Sequence, residues 1–238
     1  MTVGNSRSVT SNQAGPHEAL VNTVERFRCT DEFRKPIAPF NLAAFSTAAD
    51  WLDARPGPWI LDAGCGTGDS TCRLGERYPG LSVIGVDRSE HRLSRRRQQP
   101  DNVLFTRADL VDFWRLAADA GWSPQKQFLL YPNPYPRKQQ FKQRWHTHPV
   151  FRHLVRLGGQ LECRTNWPLY LKEMQQALGC YGIDAQVTEL QSPEGLSPFE
   201  RKYSASGQPL WCLRADLGAR SSGAAKPSPQ PAARGFRP

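Results

Sequence analysis

A glycine-rich turn after an apolar run is the clearest ligand-binding pattern in this chain. The run ends in Asp62, and Gly64, Gly66 and Gly68 follow at alternating positions. Glycines at this spacing let the backbone pass close to a ligand, because no Cβ atom intervenes. A dinucleotide-binding G-x-G-x-x-G would need a glycine at the position of Asp69. The preceding acid favours a cationic ligand, since a carboxylate would repel a pyrophosphate.

Two more carboxylates follow the next two predicted strands. Asp87 ends the second strand, at a distance from the turn where a carboxylate can accept hydrogen bonds from both hydroxyls of a ribose. Arg88 comes next and is predicted to begin a helix. Asp109 follows the third strand, where it could contact an adenine or cap the next helix, and the sequence leaves both roles open. These residues predict a ligand with a nucleoside part.

A basic and aromatic segment follows the fourth predicted strand and the sequence Pro-Asn133-Pro-Tyr135. Its cations are Arg137, Lys138, Lys142, Arg144, Arg152 and Arg156. Interleaved cations and aromatic rings are typical of surfaces that bind phosphates and stack bases. Of the aromatic residues, we expect Tyr135 to stack on a base, and Trp145 and Phe151 to lie in the core.

Three histidines, His146, His148 and His153, lie in the same segment. The H-x-H spacing could suit a metal, but no acid or cysteine lies nearby in the sequence. We therefore expect surface or phosphate-contacting imidazoles and no metal site. The six cysteines are scattered without a C-x-x-C pair, so neither a zinc site nor a disulfide framework is predicted.

The elements that must position these residues alternate between short apolar runs and helical stretches, which is typical of a parallel sheet with helices on both faces. Strands are predicted at 59–62, 82–87, 103–108, 127–131 and 160–164, with 185–190 and 210–215 returning antiparallel at the edge. Helices are predicted at 17–27, 41–53 with Asn41 as its N-cap, 70–77, 88–98, 111–121, 150–157 and 168–178. The sequence therefore predicts an α/β fold with a mainly parallel, seven-stranded sheet.

Composition divides the chain into three parts. Residues 1–15 are predicted to be flexible, 16–217 to form one domain, and 218–238 to be a disordered basic tail. Lysine and arginine number 31 against 22 acids, and the net charge of +9 favours a polyanionic partner. No apolar run reaches the roughly 18 residues of a membrane span and no signal-peptide pattern is present, so we expect a cytoplasmic protein without a membrane partner. The oligomeric state stays open.

The glycine-rich turn resembles motif I of class I S-adenosylmethionine (SAM)-dependent methyltransferases, and the later motifs resemble those of the tRNA (guanine-N7)-methyltransferase family. Asn133 occupies the position of the acid in that family's P-D-P-W, which precedes K-x-x-x-x-K-R-R. Asn166 occupies that of the acid in its T-D-W. Ser197, Phe199 and Glu200 match its T-x-F-E-x-R.

The resemblance covers 59–213 and implies a Rossmann-like class I methyltransferase fold, with methyl transfer from SAM to guanine N7 of tRNA. The cofactor contacts that it implies are Asp62, Gly64, Gly66, Gly68, Asp87, Arg88, Asp109 and Asn133. It assigns Asn133 and Glu200 to the reaction centre. With the basic segment, it predicts substrate contacts at Tyr135, Arg137, Lys138, Lys142, Arg144, Asn166, Ser197, Phe199 and Glu200.

Asn133 and Asn166 each replace an aspartate of the family. An asparagine carbonyl can accept a hydrogen bond, but the side chain lacks charge and adds a donor, so guanine N1–H and N2–H would be held less strongly. Methyl transfer tolerates this change, because guanine N7 has a free lone pair and the reaction needs in-line positioning rather than a base. We also hypothesise that the Glu200 carboxylate offsets the positive charge that develops on the methylated base.

Two alternatives remain open at this point. Pro-Asn133-Pro-Tyr135 partly resembles the N-P-P-Y motif of amino-methyltransferases, which would predict N6-adenine methylation of RNA or DNA. The loss of two acids could instead leave a non-catalytic RNA-binding protein that retains the cofactor fold.

Overall fold

The computed structural model describes residues 6–30, 33–95, 99–191 and 193–218, so residues 1–5 and most of the predicted tail lie outside the described part. The strands are β1 (Trp59–Ala63), β2 (Ser82–Asp87), β3 (Val103–Arg107), β4 (Lys126–Leu130), β5 (Gln160–Thr165), β6 (Ala185–Glu189) and β7 (Trp211–Asp216). The α-helices are α1 (Leu20–Cys29), α2 (Pro39–Asp53), α3 (Asp69–Arg77), α4 (Glu90–Leu93), α5 (Leu110–Asp119), α6 (Phe151–Arg156), α7 (Pro168–Gly179) and α8 (Pro198–Ala205). Short 3₁₀ helices span Lys138–Gln143 and Trp145–Thr147. Each strand lies within one residue of its predicted ends.

The strands form one sheet in the order β3-β2-β1-β4-β5-β7-β6. The first five run parallel, whereas β7 pairs antiparallel with both β5 and β6. This arrangement confirms the predicted fold class. The order reverses between β1 and β4, and open α/β sheets bind ligands at the carboxyl ends of the strands at such a reversal. The loops after β1, β2, β4 and β5 are therefore the place to look for a site.

The sheet buries apolar residues on both faces. Adjacent residues of β1 point to opposite sides, so Leu61 belongs to the larger core cluster and Ile60 to the smaller one. On the larger side, Phe113 and Trp114 of α5 are both 0% exposed. On the smaller side, Leu74 of α3 packs against the sheet. Burial on both faces explains why β1, β2 and β4 contain consecutive apolar residues, such as Trp59 to Leu61, rather than an alternating pattern.

Helix boundaries differ from prediction more than strand boundaries do. The helix predicted at 88–98 is the four-residue α4, which ends at Leu93, and residues 96–98 lie outside the described part of the chain. The sequence patterns do not predict α8, in which Ser197 Oγ caps the helix by accepting from Glu200 N at 3.2 Å. Glu200 is the buried residue of α8, so this helix lacks the apolar repeat that reveals an amphipathic helix.

The predicted N-cap role of Asn41 is wrong. The helix begins at Pro39, and Asn41 lies inside it with 1% exposure. Its Nδ2 donates to Asp112 Oδ2 at 2.6 Å, and its Oδ1 accepts from Asp109 N at 3.0 Å. The buried amide therefore joins α2 to the start of α5, beside the loop that follows β3.

Residues 11–17 contact the segment that follows β4 and also α7. Ser11 Oγ donates to Pro136 O at 2.7 Å. His17 N donates to Glu173 Oε1 at 2.9 Å. Part of the segment that composition predicts to be flexible therefore makes specific contacts with the domain.

His153 of α6 should make stability depend on pH. It is 8% exposed, so the expectation of a surface imidazole is wrong for this residue. Burial, together with the neighbouring Arg156, lowers the pKa of His153 to about 4 from an ordinary value of 6.5. The unfolded chain therefore takes up this proton near pH 6.5 and the folded protein only near pH 4, so stability falls as the pH drops through that window.

We expect His153 to lower the free energy of unfolding by about 1–2 kcal/mol between pH 7 and pH 5, and His153→Leu to remove that loss. Urea unfolding at the two pH values measures it. His91, an exposed histidine of α4, provides the matched control, because His91→Gln should leave the pH dependence unchanged. The same pH dependence in His153→Leu as in the unaltered protein would contradict this assignment.

Candidate active site

The glycine-rich turn joins β1 to α3 and has the backbone that its glycines allow. Gly64, Gly66 and Gly68 have φ values of 79°, 61° and 78°, in the left-handed region that favours glycine. A Cβ atom on Gly68 would overlap the ring of Phe105. Gly64 N donates to Val86 O at 2.8 Å, which holds the turn beside the end of β2. The backbone of the turn is therefore fixed at the carboxyl end of β1.

Asp62 lies in β1 just before this turn and is 1% exposed. Its Oδ2 accepts from Ser70 Oγ at 2.6 Å and from Thr71 Oγ1 at 2.8 Å. Its Oδ1 is buried and has no hydrogen-bond partner among the described residues. Burial raises the pKa of Asp62 to about 6, although the two hydroxyl hydrogen bonds act to lower it. A buried carboxylate with an unpaired oxygen suits the cationic part of a ligand.

Asp87 ends β2 directly beside the turn and is 4% exposed. Its Oδ2 accepts from Gly66 N at 3.0 Å and from Arg92 Nη1 at 3.2 Å, and its Oδ1 accepts from Ser89 N at 2.8 Å. Because it contacts the turn, the carboxylate lies where the ribose of a nucleoside held by that turn would meet it. Arg88 is exposed at the same edge of the sheet.

Asp109 performs the capping role that the sequence leaves open. Its Oδ1 accepts from Val111 N at 2.8 Å, at the first turn of α5. Its backbone N donates to Asn41 Oδ1 at 3.0 Å. A contact between Asp109 and an adenine stays a prediction.

The two asparagines follow neighbouring strands. In the parallel pairing of β4 and β5, Leu130 lies opposite Arg164, so both loops start at the same edge. Asn133 is exposed, whereas Asn166 is partly buried. Asn166 Nδ2 donates to Gln208 Oε1 at 2.8 Å. Because β4 also pairs with β1, both asparagines lie at the edge that carries the glycine-rich turn.

Glu200, which the family resemblance assigns to the reaction centre, is buried in an ion pair with Arg164. It is 0% exposed, and both of its carboxylate oxygens accept from Arg164 Nη1 at 3.1 Å. It also accepts from Gly195 N at 2.9 Å and from Leu196 N at 3.3 Å. The carboxylate holds the loop before α8 against β5, and the adjacent guanidinium balances its charge. The hypothesis that Glu200 offsets charge on the base stays a prediction.

Three aromatic rings form a cluster at the same edge. Tyr131 has a φ of 51° just after β4, and its ring centroid lies 5.6 Å from that of Tyr203. Tyr203 stacks on Phe199 with centroids 6.1 Å apart. Phe199 is 50% exposed, whereas Ser197, at the start of the same helix, is 5% exposed. An exposed ring beside the loops after β4 and β5 is available to stack on a base.

Arg144 is wrong as a predicted phosphate contact, because its side chain is 0% exposed. Its Nη1 pairs with Glu173 Oε2 at 2.5 Å, and its Nη2 donates to Tyr135 O at 2.9 Å. His146 Nε2 lies 3.0 Å from the same carboxylate oxygen, so His146 is not a surface imidazole either. Burial raises the pKa of Glu173, but hydrogen bonds from His146 and Arg144 outweigh it and bring the pKa to about 2. We call Arg144, His146 and Glu173 the buried triad.

The other predicted cations differ in their surroundings. Arg137 and Lys142 are exposed, and Lys138 forms a surface ion pair with a separation of 3.0 Å. Arg152 and Arg156 lie on α6 and bond to other parts of the chain. The exposed positive charge of this segment therefore lies mainly in its first six residues.

The aromatic residues of the basic segment divide as predicted. Phe151 is 2% exposed, and Trp145 packs edge-on against the buried Trp114 with ring centroids 5.0 Å apart. Tyr135 is partly buried, with a φ of 45°, and the buried triad holds its carbonyl. Stacking of Tyr135 on a base stays a prediction.

The described ranges contain neither a candidate metal centre nor a membrane span. No group of three or more His, Cys, Asp or Glu residues there could hold a metal ion. No helix in the same ranges has both the length and the apolar character needed to cross a membrane. All six cysteines are free thiols.

A protein-family model described as "Putative methyltransferase" matches residues 56–213, which include the glycine-rich turn, both asparagines and α8. The chain belongs to this methyltransferase family. The match begins just before β1 and ends inside β7, so it includes at least part of every strand.

Several curated relatives of this methyltransferase are named tRNA (guanine-N(7)-)-methyltransferase. The relative from Leifsonia xyli subsp. xyli is 26% identical over 210 residues, which are 80% of this chain and 92% of the relative. The relative from Burkholderia ambifaria is 26% identical over 208 residues, which are 81% of this chain and 79% of the relative. The family resemblance drawn from the motifs is therefore confirmed over most of both chains.

A solved structure shares the fold. It is a variant of the 16S rRNA (adenine(1408)-N(1))-methyltransferase from Catenulisporales acidiphilia, determined with cosubstrate SAM. The TM-score is 0.52 at 16% identity, and the alignment covers 74% of this methyltransferase and 93% of that chain. At this identity the likeness shows the fold alone, and it confirms the Rossmann-like class I methyltransferase architecture.

The structure also adds site residues that sequence reasoning missed. In this methyltransferase, Gln208 contacts Asn166, and Arg164 contacts Glu200. A signal existed for Arg164, because a cation in a predicted central strand must be paired when buried. No comparable signal existed for Gln208, which lies in an irregular segment between α8 and β7.

Proposed function

We propose that this methyltransferase transfers the methyl group of SAM to N7 of a guanine in tRNA. The observation that supports the proposal is that the glycine-rich turn after β1 and the loops after β4 and β5 lie at the same edge of the sheet. The turn has the geometry of a cofactor site. The two loops hold the motifs that resemble substrate motifs of tRNA (guanine-N7)-methyltransferases, and relatives of that name align with most of the chain.

The residues at the turn fit SAM in charge and shape. Asp87 would accept hydrogen bonds from the ribose hydroxyls, and the glycine-rich turn would let the backbone approach the methionyl part. The unpaired Oδ1 of Asp62 supplies buried negative charge near that cationic end. When bound, SAM supplies a methyl group on a sulfonium. Arg88 and Asp109 are proposed contacts on the adenosine side.

The substrate loops can position a guanine without acid–base chemistry. Guanine N7 reacts through its lone pair, so the protein has to place N7 in line with the methyl group, and no side chain needs to remove a proton. Asn133 and Asn166 can hydrogen-bond to the base, and Phe199 can stack on it. Glu200 is not required for this chemistry, which agrees with its burial.

Charge supports a tRNA partner. The chain carries a net charge of +9, and the exposed Arg137, Lys138 and Lys142 follow Asn133 closely in the sequence. A tRNA backbone held by these cations would bring a base toward the loops after β4 and β5. We propose that the protein acts on tRNA of the cytoplasm.

Incubation with SAM and tRNA, followed by mass analysis of the nucleosides, tests the proposal. We expect 7-methylguanosine to accumulate in the tRNA. Asp87→Ala should reduce its formation by roughly tenfold or more, because the ribose hydroxyls lose a charged acceptor. Lys126→Ala, at the opposite end of β4, provides a control that should retain full activity.

Two results of that experiment would overturn the proposal. If N6-methyladenosine is the only product, the amino-methyltransferase alternative is correct. If no methyl group enters tRNA although the protein binds both S-adenosylhomocysteine and tRNA, the chain is a non-catalytic RNA-binding protein.

A further inference from the structure

We infer that Gln208 is a positioning residue that fixes the amide of Asn166 so that its carbonyl oxygen, and not its amino group, is presented to the substrate base. The inference rests on the proposed function and identifies how a site with asparagine in place of aspartate can still select guanine.

Three consecutive hydrogen bonds carry the inference. Ser6 N donates to Ser206 Oγ at 3.1 Å, which ties the backbone of Ser6 to the end of α8. Gln208 Nε2 donates to Ser6 O at 2.8 Å. Asn166 Nδ2 donates to Gln208 Oε1 at 2.8 Å. The result is a single chain of hydrogen bonds from the backbone of Ser6 to the amide of Asn166.

The carbonyl oxygen of Ser6 fixes which atom donates and which accepts in each of the next two hydrogen bonds. The carbonyl of Ser6 can only accept, so Gln208 must turn its Nε2 toward it and its Oε1 toward Asn166. Asn166 must then turn its Nδ2 toward Gln208. Its Oδ1 is left as the available group, and no partner for it occurs among the described residues.

An oriented carbonyl selects between purines. Guanine presents N1–H and N2–H donors on its Watson–Crick edge, whereas adenine presents an acceptor at N1 beside its amino group. The Oδ1 of Asn166 would accept from the guanine donors, and an amide turned the other way would present a donor to them. A site built to pair with a substrate N–H rejects analogues strongly, because a mismatched edge leaves polar groups unpaired.

Aspartate at position 166 would not fit this arrangement. A carboxylate oxygen would then face Gln208 Oε1 at about the distance of the present hydrogen bond. Both atoms are acceptors, so no hydrogen bond could form between them. Gln208 could rotate to offer Nε2 to the carboxylate only by facing Ser6 O with its own oxygen. The asparagine is therefore matched to Gln208, and returning it to the family residue should impair the enzyme.

A double-mutant cycle tests the match. In Gln208→Lys, the ammonium can still donate to Ser6 O but forces Asn166 to turn its carbonyl away from the base. In Asn166→Asp, the carboxylate meets Gln208 Oε1. We expect each single change to lower kcat/KM for 7-methylguanosine formation in tRNA by roughly tenfold or more. The double variant should recover to within about threefold of the unaltered protein, because the introduced ammonium can donate both to the introduced carboxylate and to Ser6 O.

The controls separate positioning from folding. Gln175→Lys changes a glutamine of α7 that donates to Ala185 O at 2.7 Å away from the site, and it should leave kcat/KM unchanged. Calorimetric titration with S-adenosylhomocysteine should give the same Kd for all variants, which shows that the cofactor site is intact.

Two outcomes would overturn the inference. Losses that multiply in the double variant would show that positions 166 and 208 act independently, and full activity in Asn166→Asp alone would show that Gln208 does not select an amide. Both results require an unaltered protein that methylates guanine, so they differ from failure of the proposed function, in which the unaltered protein makes no 7-methylguanosine and the inference falls with it.

Discussion

Replacing Arg144 with alanine should lower the free energy of unfolding by about 3–5 kcal/mol, because it leaves the Glu173 carboxylate buried without its cation. Arg144 and Glu173 are each 0% exposed and lie 2.5 Å apart. The substitution also removes the donor that holds Tyr135 O. Chemical denaturation with urea measures the change. The free energy of binding S-adenosylhomocysteine should fall by less than the free energy of unfolding does.

Lys142 provides the matched control for this prediction. It lies two residues away in the same basic segment, but its side chain is exposed. Lys142→Ala should change the free energy of unfolding by less than about 0.5 kcal/mol while weakening tRNA binding. If Arg144→Ala instead kept full stability and only weakened tRNA binding, Arg144 would be a phosphate contact and the buried triad would have no structural role.

Asp62→Asn should stabilise the ligand-free protein and weaken its cofactor binding. The pKa of Asp62 is raised by burial to about 6 from an ordinary 3.8, so the folded protein holds this proton more tightly than the unfolded chain does. Stability therefore falls as the pH rises from 3.8 to 6, and at pH 7 the buried charge costs about 1–3 kcal/mol. The amide removes that cost. It also removes the negative charge beside the cationic end of SAM, so we expect at least roughly tenfold weaker binding.

Thermal unfolding at pH 7 and calorimetric titration with S-adenosylhomocysteine measure these two opposite effects. Asp87→Asn provides the comparison, because the Asp87 carboxylate already accepts three hydrogen bonds from the protein. Removing its charge should weaken cofactor binding without raising the stability of the protein. Unchanged cofactor affinity in Asp62→Asn would show that the buried carboxylate does not contribute to the cofactor site.

The fold was predictable because its central strands β1, β2 and β4 are buried on both faces. Runs such as the one around Ile60 and Leu61 contain only apolar residues for that reason, and a Pro at the start of α7 or a capping Asp109 marks helix ends locally. α8 escaped prediction because its contact with the core is an ion pair through Glu200, and apolar periodicity does not report such a contact.

The candidate site was predictable where local backbone geometry determines it. The glycines and Asp62 lie within one turn, so their spacing alone indicates a ligand. Whether a cation is buried depends instead on distant partners, and Arg144 meets Glu173 from 29 positions away and Gln13 from 131. Hydropathy and charge patterns of a single segment contain no information about such partners.

The contacts of Ser6 also determine which part of this protein can fold last during synthesis. Ser6 bonds to Ser206 and Gln208, which lie 200 and 202 positions later in the chain. The amino-terminal residues leave the ribosome first, but their partners emerge only after nearly the whole sheet has been translated. A nascent chain can therefore pack β1 to β5 early, while the hydrogen bonds that orient Asn166 form only after Gln208 has emerged. Chains that end before Gln208 would also lack β7, so they would lose both the strand that pairs with β5 and the contact that orients Asn166.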